Sequence, residues 1–384
     1  MKTEDENTMR KRPVILLTII ISAICIGSFV MYTIRDENTE TLTDIIDSRK
    51  DDEIEAILDS MTLEEKVGQM FMGCFYSGTP SAETVNQYHL GSVLLFSASF
   101  ESSDSASVRS QLDAIDAVCE PDPIIAVDEE GGTVNRVSNF PAFRSEPFKA
   151  PRDIFTSGGL DAIAADTHEK NQLLAKLGID LNLAPVCDIS QTEGDFMYSR
   201  SLGQNANVTS DYVTCVVKTC IRDNMGCCLK HFPGYGNSAD THKGIAVDNR
   251  SQKQLEQSDL LPFKAGIQAG APSVLVSHNI VSALDDSLPA SLSPTIHKLL
   301  RYDMGFGGVI ITDDLSMGAI AEFLPDVDSA VTAVMAGNDM LCTGDFKEQY
   351  QAVLEAVNTG LISEDRIDSS VRRILTWKRA MSLI

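Results

Sequence analysis

Several chemistries are excluded by what this chain of 384 residues does not contain. None of its nine cysteines stands at C-x-x-C spacing from another, so no thiolate metal site is legible. The net charge of −24, with no long run of lysines and arginines after residue 12, argues against a nucleic-acid binder. No G-x-S-x-G nucleophile elbow is present. Gly305-Phe306-Gly307-Gly308 precedes an apolar run instead of opening a helix, so it lacks the context of a phosphate-binding loop. Internal repeats, low-complexity tracts and heptads are absent too, which leaves an ordinary globular composition with 43% hydrophobic residues.

The first long feature present is an uncharged run of 21 residues, Val14 to Ile34. At about 1.5 Å per residue a helix of that length matches a bilayer core of roughly 30 Å. Arg10, Lys11 and Arg12 precede it and acidic residues follow, an asymmetry that sets the N-terminus in the cytoplasm and the body outside. The expected organisation is a cytoplasmic segment 1–13, a transmembrane signal anchor 14–34, a polar linker 35–52 and a folded domain 53–384. A signal peptide cleaved on export and a buried core helix are the alternatives. Cys25 follows Ile24, where a lipoprotein site would need a small residue. For the other eight cysteines, several in apolar runs, small buried thiols are expected rather than disulfides.

From Ile54 onward short apolar runs alternate with helix-length stretches: 69–75, 92–96, 124–128, 181–186, 226–231, 272–278, 307–313 and 339–342. Eight strand candidates so spaced predict an α/β fold, a (β/α)8 barrel of the TIM type, in a single catalytic domain. Asp128, His231, His278 and Asp313 each fall at the C-terminal end of a run, the face on which such barrels build their sites. His278 and Asp339 are given supporting roles only.

The most informative segment is Lys230-His-Phe-Pro-Gly-Tyr-Gly-Asn-Ser-Ala-Asp-Thr-His242. It sets a Lys-His pair, a Gly/Pro-rich turn and an Asp-x-His pair directly after an apolar run. His242 has the side chain suited to giving a proton to a leaving oxygen and taking one back from water, with Asp240 to orient it; metal ligation or a plain surface loop is the bland reading. Asp313, projecting from a strand end, could attack an anomeric carbon, while its neighbour Asp314 should point away and cap the following helix. Lys230 and His231 could hydrogen-bond sugar hydroxyls or simply satisfy each other at a strand end. Asp128 reads equally as a helix cap or a salt-bridge partner.

This segment resembles the signature of the glycoside hydrolase family 3 β-N-acetylhexosaminidases, approximately Lys-His-Phe-Pro-Gly-His-Gly, four residues, Asp-Ser-His. Tyr235 replaces the second His, Thr241 replaces the Ser, and Asn237, Ser238 and Ala239 make a spacer of three. Further likenesses follow in order along residues 54–380: Met61 to Met70; Asp128-Glu-Glu-Gly-Gly-Thr-Val-Asn-Arg136; Arg200-Ser-Leu-Gly203; and Thr312-Asp-Asp-Leu-Ser-Met317. The resemblance implies Asp313 as nucleophile, an Asp240–His242 acid/base dyad, and Asp128, Arg136, Arg200, Lys230 and His231 as ligands of the non-reducing sugar. It implies release of terminal β-linked N-acetylglucosamine from peptidoglycan-derived or chitin-type oligosaccharides with retention, and no cofactor. A β-glucosidase-type or phosphorylase relative, or a non-catalytic wall-binding one, would be the alternatives.

Overall fold

The computed structural model describes residues 52–236, 244–324 and 329–384. Within the compact unit Ile57–Ile384, eight parallel strands follow one another around a barrel. They are β1 (Phe71–Phe75), β2 (Ser92–Leu95), β3 (Ile124–Val127), β4 (Leu181–Asn182), β5 (Gly226–Phe232), β7 (Ser273–Val276), β9 (Val309–Thr312) and β10 (Leu341–Thr343). The ladder runs from β10 through β1 to β9, and a parallel bridge between Ile311 and Met340 spans the remaining gap between β9 and β10. Two short strands, β6 (Val247–Asp248) and β8 (Ile280–Val281), pair with each other outside the barrel.

The barrel strands read as uninterrupted apolar runs because nearly every residue in them is buried on both faces. All eight expected runs contain strands; β5 runs one residue further, to Phe232, β10 ends at Thr343 instead of Cys342, and the other six are shorter than expected. The run 181–186 pairs as a strand only at Leu181–Asn182, since Pro185 has no N–H to give to a ladder.

Between the strands lie α1 (Leu63–Gln69, ahead of β1), α2 (Ala82–Gln87), α3 (Ser105–Asp116), α4 (Pro151–Leu177), α5 (Ala206–Arg222), α6 (Gln252–Gln257), α7 (Leu260–Gln268), α8 (Pro294–Lys298), α9 (Gly318–Phe323) and α10 (Ser329–Ala336); α11 (Phe346–Asn358) and α12 (Glu364–Ala380) follow β10. Their starts are written locally. Thr62 and Glu65 form a reciprocal capping box on α1, Ser251 and Gln254 another on α6, and Asn205 and Ser363 cap α5 and α12. Phe232 of β5 meets Phe263 of α7 edge-on at 5.1 Å; fully burying one such ring is worth roughly 1.5–3 kcal/mol. The last helices return to the first: Tyr350 of α11 donates to the Glu64 carbonyl at 3.2 Å, and Lys66 pairs with Asp368 of α12 at 2.8 Å.

Asp339, expected near a strand end in a supporting role, does not line the cleft at the C-terminal ends of the strands. It instead precedes β10, at the opposite end of the barrel, where its carboxylate ties Arg301 (2.5 Å), Arg373 (3.0 Å) and the Ile310 amide (3.0 Å) together. The eight described cysteines are free thiols, six of them buried, in keeping with the expectation. No helix among the described residues is long and apolar enough to cross a membrane, and the 14–34 segment lies outside them.

Candidate active site

At the C-terminal ends of the strands a cleft of about 440 Å³ opens. Into it run Tyr76 after β1, Phe96 after β2, Asp128 and Glu130 after β3, Phe196 and Arg200 in the β4–α5 connection, Lys230 and His231 at the end of β5, and Asp313 after β9. Successive residues of a regular strand face opposite ways. Lys230 and His231 both line the cleft because the β5–β7 ladder shifts register between Leu229 and Phe232.

The floor is a buried charge network. The Lys230 ammonium lies 2.6 Å from Asp128 and 2.7 Å from Glu130. Arg200 clasps the same Glu130 with two bonds, 2.6 and 2.9 Å. Burial alone would keep the Glu130 carboxyl neutral, but Arg200 and then Lys230 outweigh it and hold its pKa well below the carboxylate range. Burial likewise disfavours the Lys230 ammonium, and Asp128 and Glu130 reverse this and raise its pKa. Glu130, Lys230 and Arg200 therefore stay ionised and mutually fixed. Behind them, Glu129 accepts the amides of Arg136, Val137 and Ser138 at 2.8, 2.8 and 3.2 Å, which folds the 129–138 loop over its own carboxylate. At Gly131, φ is +100° and a Cβ would sit 2.3 Å from the Lys149 carbonyl, so only glycine lets the loop pass there.

His231 is held in one tautomer. Arg200 Nη2 lies 3.1 Å from His231 Nε2, and a guanidinium can only donate, so Nε2 accepts. The proton is then on Nδ1, which donates to Asp188 at 2.8 Å. Asp188 also takes the His231 amide at 3.1 Å and the Tyr235 amide at 2.7 Å, tying the end of β5 to the turn that follows. Tyr235 packs among Val186, Met197 and Phe196, its ring edge-on to His231 at 5.2 Å. The aromatic that departs from the motif is thus a buried residue beside the histidine that also lines the cleft.

The Asp313 amide donates to the Val276 carbonyl at 2.9 Å, and its Oδ1 accepts the Asp314 amide at 2.9 Å. The expectation for Asp314 is corrected. It lines the cleft beside Asp313, its carboxylate accepts the Tyr76 hydroxyl and the Ser316 amide, and α9 begins beyond Met317 without it. His278, buried, reaches the Asp314 carbonyl at 2.9 Å and Ser291 at 2.7 Å, a supporting position as expected. Arg136 lies 3.8 Å from Asp128 with its guanidinium over the Phe96 ring at 5.4 Å.

Asp128, Arg136, Arg200, Lys230, His231 and Asp313 are therefore brought together in one cleft. Asp240 and His242 fall between Gly236 and Gly244, outside the described residues. Sequence reasoning missed Glu130, which stands inside the 128–136 motif, and Asp188. Asp188 ends the apolar segment that leaves β4, the same signal that singles out Asp128, but in the sequence the legible run stops at Val186.

The sequence profile of the glycosyl hydrolase family 3 N terminal domain matches residues 62–377. The chain belongs to this family. Among its relatives, the beta-hexosaminidase A of Pseudoalteromonas piscicida is 29% identical, with 77% of this chain and 54% of that protein covered. The beta-hexosaminidase of Alkalilimnicola ehrlichii is 31% identical, with 75% and 84% covered. Among solved structures, the family 3 beta-N-acetylglucosaminidase from Paenibacillus sp. str. FPU-7 superposes with a TM-score of 0.78 at 28% identity, over 84% of this chain and 63% of that one. The chain spans less than two thirds of the Pseudoalteromonas and Paenibacillus relatives.

Proposed function

We propose that this chain is a retaining β-N-acetylhexosaminidase that releases terminal β-linked N-acetylglucosamine from peptidoglycan-derived or chitin-type oligosaccharides. The observation that carries the reading is the cleft in which Asp313 faces a fixed set of donors and acceptors, Lys230, Arg200, Asp128 and His231. Such a set suits a sugar ring: cations donate to hydroxyl oxygens and carboxylates accept from hydroxyl hydrogens, and the neighbours have already settled which group donates. The family membership and the hexosaminidase relatives support it.

In this reading Asp313 attacks the anomeric carbon as the bond to the leaving oxygen breaks, giving a glycosyl ester. His242, oriented by Asp240, hands its proton to that oxygen. It then takes a proton from the water that displaces Asp313 and restores both groups. Arg136 completes the sugar's contacts, its Nε buried without a hydrogen-bond partner in the structure. The uncharged segment 14–34 anchors the domain to the cell membrane with the barrel on the outer side, unless the segment is removed on export.

The test is hydrolysis of an aryl β-N-acetylglucosaminide against an aryl β-glucoside, with and without phosphate. Turnover of the first, independent of phosphate, is expected. Turnover of the glucoside alone, or only with phosphate, would overturn the reading.

A further inference from the structure

A second groove, of about 480 Å³, opens between the β1–α2 and β2–α3 connections and belongs to no part of the site described above. It is lined by Thr79, Ser81, Ala98, Ser99, Ser103 and Gln111, among others, and none of its nine lining residues carries a charge. Two of its hydroxyls, Thr79 Oγ1 and Ser99 Oγ, are buried without a hydrogen-bond partner, and Ser99 as a whole is 4% exposed. Leaving a buried hydroxyl unpaired is costly, and both residues lie in the groove wall, where a turn of the side chain about Cα–Cβ presents the oxygen to an occupant that donates or accepts.

Its position relates it to the cleft. Thr79 lies three residues after Tyr76 and Ser99 three after Phe96, so each pair of Cα atoms is at most about 11 Å apart. Tyr76 and Phe96 both line the cleft, and their rings pack at 4.6 Å. The two rings lie in the same β1–α2 and β2–α3 connections that line the groove, with the Tyr76 hydroxyl on Asp314, next to the proposed nucleophile. The Lys230–Glu130–Arg200 network, which would hold the terminal sugar, comes from β3, β5 and the β4–α5 connection.

Resting on the hexosaminidase reading, we infer that this groove is a subsite for the leaving portion of the oligosaccharide, that the Tyr76–Phe96 pair is the ridge over which the chain passes, and that its occupant is a neutral sugar. Hydroxyls and a carboxamide can pair with sugar hydroxyls and acetamido groups in either sense, and aromatic rings suit the apolar face of a pyranose. A carboxylate-bearing peptide would need a cation, and the groove lining offers none.

The experiment compares Ser99→Val and Gln111→Leu with the wild-type chain on chitotetraose and on an aryl β-N-acetylglucosaminide. Gln111 is exposed on α3, so its variant keeps the comparison meaningful if Ser99→Val fails to fold. Losing one hydrogen bond of about 1–1.5 kcal/mol predicts a five- to twelvefold fall in kcat/KM on chitotetraose, with the aryl substrate changed less than twofold. Equal effects on both substrates, or none on chitotetraose, would overturn the inference. Calorimetric titration of chitotetraose separates this from failure of the hexosaminidase reading. If no aryl substrate turns over, weaker chitotetraose binding in both variants still supports the subsite. Unchanged affinity, or no binding to the wild-type chain, overturns it.

Discussion

Replacing Glu130 by Gln removes one charge from a network whose sum is zero, Asp128 and Glu130 against Lys230 and Arg200, and changes almost no volume. The Glu130 carboxylate sits 2.6 Å from Arg200 and 2.7 Å from Lys230. At an effective dielectric of about 20 each of these pairings is worth roughly 6 kcal/mol of Coulomb energy, part of which is offset by the desolvation that the carboxylate no longer suffers. Breaking a buried pair while its partner stays charged costs about 3–5 kcal/mol, because two cations then face one anion. Against a total stability of roughly 5–15 kcal/mol this is a large loss. Urea denaturation at pH 7 should show it, and kcat/KM should fall at least about a hundredfold under conditions where the variant is folded, since Lys230 and Arg200 both lose their anchor. The internal control is Arg109–Asp113, equally short at 2.6 Å but with side chains 47% and 52% exposed. Asp113→Asn should cost no more than about 0.5 kcal/mol. A Glu130→Gln variant within about 1 kcal/mol of wild type, or no worse than Asp113→Asn, would refute the reasoning, since burial and not distance is what separates the two pairs.

Because His242 is proposed to carry the proton, His242→Ala should slow oligosaccharides with poor leaving groups far more than activated aryl glycosides; equal losses on both would remove it from that role. Lys378, fully buried on α12 with its ammonium on Gln69 at 2.6 Å, has its pKa pushed down to about 7, chiefly by burial. An unfolded lysine titrates near 10.4, so between pH 7 and about 10.4 the unfolded chain holds a proton that the folded one gives up. Stability relative to Lys378→Met should therefore be lowest below pH 7 and climb toward pH 10; a difference flat across that range, by urea titration, would contradict the assignment.

The barrel was legible because its strands are buried on both faces, which leaves apolar runs that no solvent-facing residue interrupts. Asp128, His231 and Asp313 stood out for the same reason, as polar residues at the ends of such runs. What escaped depends on tertiary context. Asp188 follows Pro185, which has no N–H to give, and Val186, which meets β5 only through an isolated bridge to Lys230, so the run legible in the sequence stops short of it. Glu130 is one of three consecutive acids, 128–130, and only the approach of Arg200 from 70 residues away distinguishes it from Glu129, which turns inward to the amides of its own loop. Asp314 looked like a helix cap because two adjacent carboxylates usually divide their roles; Tyr76, just past the first strand, claims it instead. β6 and β8, two residues each, carry no periodicity to read.

The central claim is that Asp313 forms the covalent intermediate with an N-acetylglucosaminyl donor. The most direct test is to incubate the protein with a slow-turnover fluorinated N-acetylglucosaminyl donor, digest it and weigh the peptides. A peptide heavier by the mass of the glycosyl group, with the modification on Asp313 and absent from Asp313→Asn, is the predicted result. An adduct on another residue, or release of the α-anomer first with no adduct at all, would contradict the account.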